Sequence, residues 1–144
     1  MFKAVLFDLD DTLMPDEAAA NEALVATAAL AKQWHNIPPG DLKDAVRRVA
    51  RRIFRAHPVV APYDGNFDVS SWEALSSSFQ GEDDEMRQLH EWAPEYRREV
   101  WNEALAENGF CDPLLADQLS DIYPIERRAR YQPYPDVKPC LDSL

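Results

Sequence analysis

One stretch of this 144-residue chain is patterned as a β-strand, and the rest is not. Residues 4–7, Ala-Val-Leu-Phe, form an unbroken apolar run. A run this short, built from such residues, reads as a strand buried on both faces, as in the middle of a parallel sheet. Everything after Pro15 is patterned for helix or loop. A lone strand has no partner for its backbone donors and acceptors, so residues 4–7 need neighbours from elsewhere to form a sheet. The helices can bury their apolar stripes against one another.

Pro15 suits the first position of a helix. Residues 16–35 are Ala-rich, with Leu24, Ala28, Ala31 and Trp34 near one face. Pro38, Pro39 and Gly40 interrupt the pattern. A second helix starts at Gly40 or Asp41, carries Leu42, Val46, Val49, Ile53 and Phe54 at helical spacing, and stops near His57 and Pro58. Residues 59–66 read as a loop. Ser70 and Glu73 have capping-box spacing, opening a short helix around Trp72, Leu75 and Phe79. The acids after Gly81 mark another helix start, with Met86, Leu89 and Trp92 on one face. Pro94 is expected to break or kink this helix. Tyr96, Val100, Trp101 and Leu105 continue the stripe to Asn108 and Gly109, a good helix stop. Asp112 and Pro113 stand in the order of N-cap and first residue, for a helix expected to end near Tyr123 and Pro124. Residues 131–135 are a proline-punctuated link, and residues 135–144 open one more helix, with Val137, Leu141 and Leu144 on one side.

The apolar run ends in acid: Asp8, Asp10 and Asp11. Ligands in open α/β sheets bind outside the carboxyl ends of the strands, which is where Asp8 would lie. Crowded carboxylates repel one another and raise each other's pKa unless a cation joins them. Hard oxygen donors suit Mg²⁺, which takes one or two protein carboxylates and keeps water or substrate phosphate for the rest. An EF-hand calcium loop does not fit. Counting from Asp8, the sixth position is Leu13 rather than Gly and the twelfth is Ala19 rather than Glu. Helix capping accounts for Asp16 and Glu17 but not for Asp8 directly after an apolar run.

The segment Asp8-Leu9-Asp10-Asp11-Thr12 resembles motif I, DxDxT, of the haloacid dehalogenase-like (HAD) hydrolase superfamily. The resemblance implies an α/β fold whose Rossmannoid core is represented here only by its first strand, joined to a mostly helical cap, so that the chain itself is predominantly α. Residues 1–14 would be core strand and motif, residues 15–130 the cap, and residues 131–144 the re-entry linker and the start of a core helix. It implies that Asp8 is the nucleophile that attacks phosphorus and Asp10 the general acid and base. It also implies a Mg²⁺ held by the Asp8 carboxylate and the Asp10 backbone carbonyl. Thr12 would shape the substrate loop, and Arg127, near the cap hinge, would approach the substrate. Retention of an acid at position 10 favours a phosphatase over a 2-haloacid dehalogenase, which needs no acid for a halide leaving group. The family's remaining motifs, a Ser or Thr, a Lys and further acids, lie downstream of the re-entry point and have no counterpart assigned here. The expectation is a truncated HAD protein, or one completed by self-association or by a partner supplying the rest of the core, with little activity alone.

A net charge of −11 argues against a basic footprint for nucleic acid or an anionic membrane. A small phosphorylated substrate remains compatible, since a metal or a few arginines act locally. Cys111 and Cys140 lack CxxC spacing and zinc-ligand partners among His35, His57 and His90, and read as reduced packing residues. With no signal peptide or membrane-length apolar run in the sequence, a cytoplasmic setting is expected. Arg47, Arg48, Arg51, Arg52 and Arg55 form a band on the second helix, either a surface that greets an anionic substrate or a solvated face paired with acids. Trp34, Trp72, Trp92 and Trp101 fall at core positions of helix stripes. A helical interaction module without catalytic activity is the rival from another functional class.

Overall fold

A computed structural model describes residues 4–144, and all its regular elements are helical. The longer helices are α1 (Asp16–His35), α2 (Pro39–Ala56), α4 (Asp84–Glu107) and α5 (Pro113–Ala129). Two short helices, α3 (Ser71–Ala74) and α6 (Val137–Asp142), and a 3₁₀ turn at Ala61–Tyr63 complete the set. α1 packs on α2 and α5, and α4 packs on the same two, so the long helices form a four-membered ring. Their apolar stripes close one core, with Trp101, Tyr96, Tyr123, Leu24, Leu42 and Leu105 fully enclosed. The predominantly α expectation therefore holds for the described residues.

The expected strand does not form. Residues 4–7 lie outside any strand, and Val5 and Leu6 are 53% and 94% exposed. The cause is the missing neighbour: an apolar run gains neither a ladder nor burial when no second strand lies beside it. Residues 1–3 of the proposed core segment lie outside the described residues.

Local signals set several helix ends. Ser70 Oγ accepts from the Glu73 N–H at 3.3 Å while the Glu73 carboxylate accepts from the Ser70 N–H at 2.6 Å, the reciprocal pair that the spacing predicts. Asp83 accepts from the Met86 N–H at 2.8 Å and Asp112 from the Leu115 N–H at 3.0 Å, each capping a long helix. Gly109, at φ +87°, takes the chain out of α4.

Pro94 does not break its helix, and Pro124 does not end its own. α4 runs through Pro94, and α5 runs through Pro124 to Ala129. Each proline forfeits one helical hydrogen bond, but Tyr96, Val100 and Trp101 beyond Pro94, and Arg127 beyond Pro124, are buried by staying helical. Pro94 is exposed, so water can reach the carbonyl it frees. The helix around Trp72 is shorter than expected: it ends at Ala74, and Phe79 sits at φ +43°. Trp34 is not a core residue, because it lies in the last turn of α1 and is 71% exposed. Trp101 is enclosed, and Trp72 and Trp92 are half-buried. Cys111 and Cys140 are free, as expected, but exposed rather than packed.

Candidate functional site

Residues 8–14 make a compact reversal in front of α1. The Leu9 carbonyl accepts from the Leu13 and Met14 N–H groups at 2.9 and 3.1 Å, and Asp11 takes the left-handed conformation at φ +53°. Aspartate tolerates that region better than most residues because its short side chain bonds locally. Here it does so: Asp11 Oδ1 accepts from the Glu17 N–H at 3.3 Å. One of the crowded acids is thereby turned onto the start of α1. Thr12 Oγ1 donates to Asp8 Oδ2 at 3.1 Å, and the Asp8 carboxylate stays in solvent. Both ends of the helical segment meet nearby, where the Tyr134 N–H donates to the Leu13 carbonyl at 3.0 Å.

Asp10 is brought to two acids that sequence reasoning assigned to helix starts alone. One oxygen each of Asp10, Asp16 and Glu73 lies within 4.8 Å of the others. Partial burial pushes the Asp10 pKa up, and the negative charges of Asp16, Glu73 and Asp8 push it further, with Arg127 opposing. Asp8 itself is not part of the three-acid cluster.

The rigidity of the cluster comes from below. Arg127 on α5 forks onto Asp16 on α1, with Nη2 2.9 and 3.0 Å from the two carboxylate oxygens and both side chains 4% exposed. Burial works against the Arg127 charge, but the hydrogen bond to Asp16 and the electrostatic attraction of Tyr123, Tyr131 and Asp16 together outweigh it and hold the pKa above the ordinary value. Arg127 Nη1 also donates to Ser76 Oγ at 2.7 Å and to the Glu73 carbonyl at 3.4 Å. Its guanidinium lies over Trp72 and Tyr131, 5.1 and 5.5 Å from the ring centroids.

Two phenols grip the same four-residue helix. Tyr96 Oη donates to the Ser71 carbonyl at 2.6 Å, and Tyr123 Oη to the Trp72 carbonyl at 3.4 Å. Burial lifts the Tyr123 phenol to about 12 and Tyr96 well above its usual value, so both remain donors at neutral pH. α3 is too short to be stable alone. Its capping box and these three core side chains fix it, and with it Glu73. Arg127 thus stands beneath the acidic cluster, not at an open surface where a substrate would first arrive.

The arginine band divides. Arg47 pairs with Glu17 at 3.0 Å and Arg48 with Glu107 at 2.9 Å, and Arg52 pairs with Glu103. Arg51 and Arg55 make no ion pair among the described residues. No described helix is long and apolar enough to cross a membrane. No family model, curated protein or solved structure matches this chain.

Proposed function

We propose that these residues carry the nucleophile and helical cap of a Mg²⁺-dependent phosphohydrolase of the HAD kind, acting on a small phosphorylated metabolite. The supporting observation is the different surroundings of two acids two residues apart. Both are exposed, but Asp8 is oriented by Thr12, whereas Asp10 loses part of its hydration and lies among acids, which together make it hold its proton to higher pH. In this reading an Asp8 oxygen gives an electron pair to phosphorus, forming an aspartyl-phosphate as the ester P–O bond breaks. Asp10 passes its proton to the leaving oxygen, then takes one from the water that hydrolyses the intermediate. Thr12 keeps Asp8 aimed, and Arg127 keeps Asp16 and Glu73 beside Asp10.

The converging donors are all carboxylate oxygens, the chemistry that Mg²⁺ prefers. The proposed ligands are the Asp8 carboxylate, which lies outside that cluster, and the Asp10 backbone carbonyl. A bound Mg²⁺ would offset the negative charge between nucleophile and phosphate. The family's phosphate-binding Ser or Thr, its Lys and its further acids are not assigned within these residues, so the complete gene product is the proper test object. Free Cys111 and Cys140 accord with a reducing, cytoplasmic setting.

Steady-state turnover of a phosphomonoester by the complete gene product, with Mg²⁺ and with EDTA, tests the reading. Turnover should require the metal and vanish in Asp8→Asn. Asp10→Asn should lose roughly 10²–10⁴-fold, the usual worth of acid–base catalysis. Turnover unaffected by Asp8→Asn would overturn the reading, and metal-independent halide release would replace it with a dehalogenase. One observation favours a second reading, a helical interaction module without catalysis: the bundle closes its core without residues 4–14. A self-associating chain by light scattering, with the complete product inactive in Mg²⁺, would select it.

A further inference from the structure

A cleft of about 350 Å³ opens between the second half of α2 and the chain leading into α3. Its floor is Phe54 and Val60, both buried. Phe67 stands edge-on to Phe54, ring centroids 5.9 Å apart, and Trp72 forms part of the opposite wall. Arg51 and Arg55, one turn apart on α2, line it together with Ser70 and Ser71. No carboxylate lines it.

That absence is selective. The chain has 26 Asp and Glu against 15 Lys and Arg, and Arg47, Arg48 and Arg52 of the same helix all have acidic partners. Among the arginines of α2, only the two that line the cleft lack one within the described residues. The seat of Arg55 is specific as well. Gly65 has φ +87°, and a Cβ there would meet Arg55 Nη2 at 3.2 Å. The guanidinium therefore rests against bare backbone, where a larger residue would both strain the turn and crowd the charge.

We propose that this cleft binds a small dianion carrying an aromatic ring, of the aryl phosphate or phosphonate class. Paired guanidiniums suit the tetrahedral oxyanion because they offer forked donors in fixed geometry. Ser70 and Ser71 line the same cleft, and Phe54, Phe67 and Trp72 supply apolar walls for the ring. None of Asp8, Asp10, Asp16 or Glu73 lines the cleft, so the site stands whether or not the phosphohydrolase reading does.

Phenylphosphonate is the probe, because its C–P bond resists a phosphomonoesterase. Titrated into the 144-residue chain by calorimetry and amide NMR, it should bind with shifts centred on residues 51–55 and 65–72. The exposed double substitution Arg51→Ala/Arg55→Ala should weaken binding by roughly tenfold or more while circular dichroism stays unchanged. Asp8→Asn should leave the affinity as it was, and inorganic phosphate should bind roughly tenfold more weakly than the arylphosphonate. Absence of binding, equal affinity in the double variant, shifts centred on residues 8–14, or equal affinity for inorganic phosphate would each overturn the proposal.

Discussion

Asp16 and Arg127 form an ion pair closed off from water, each side chain 4% exposed. A buried ion pair adds little over an apolar pair of the same shape, yet removing one partner strands a charge. Arg127→Ala should therefore cost about 3–5 kcal/mol in urea unfolding, whereas Asp16→Leu combined with Arg127→Met should cost much less than the sum of the single changes. Additive losses would show that the two do not act as a unit. Asp10 makes a pH-dependent prediction. Its pKa in the fold lies above the ordinary 3.8, so ionising it opposes folding. That penalty is absent below the ordinary value, where Asp10 is protonated folded or unfolded, and it grows as pH rises through the native pKa. Asp10→Asn should melt at a higher temperature than the parent at pH 7 in EDTA, with the difference closing as pH falls toward the ordinary value. An unchanged or lower melting temperature at pH 7 would remove the electrostatic account of the cluster. Asp16 and Glu73 were legible in the sequence only as helix-start acids, since their meeting depends on α1, α3 and α5 converging from distant parts of the chain.

At the scale of elements, local chemistry was readable and tertiary override was not. The capping box at Ser70 and Glu73, the caps Asp83 and Asp112, and the stop at Gly109 all act within a few residues, so spacing alone reveals them. The continuation of helices through Pro94 and Pro124 depends on what lies beyond each proline in the core, which no local window contains. Pro94→Ala tests this. In an exposed position of a continuous helix it should raise stability, by up to about 3 kcal/mol. A loss of stability would mean that the proline holds a bend the packing needs. Ser70→Ala should cost about 1 kcal/mol, the usual value of an N-cap. It should also broaden the amide resonances of residues 70–75, because α3 then relies on Tyr96, Tyr123 and Arg127 alone. Unchanged resonances would show that the core grip suffices.

At the scale of the whole molecule, the helical ring and the segment before it obey different rules. The ring buries its stripes internally, while Val5, Leu6, Phe7 and Leu9 stay exposed for want of a neighbouring strand. The sequence pattern of residues 4–7 is that of a buried strand, and burial is a property of the assembly in which such a run sits. Deleting residues 1–9 should leave cooperative thermal unfolding of the bundle nearly unchanged, and loss of cooperativity would show that the segment supports the ring. The proposed chemistry rests on a single oxygen of Asp8 meeting phosphorus. Fluorine NMR of the complete gene product with Mg²⁺, beryllium and fluoride addresses that atom directly, since beryllofluoride mimics a phosphoryl group on a carboxylate. The account predicts bound fluorine resonances that disappear in Asp8→Asn and persist in Asp10→Asn. Their absence from the parent protein, or their survival without the Asp8 carboxylate, would contradict it.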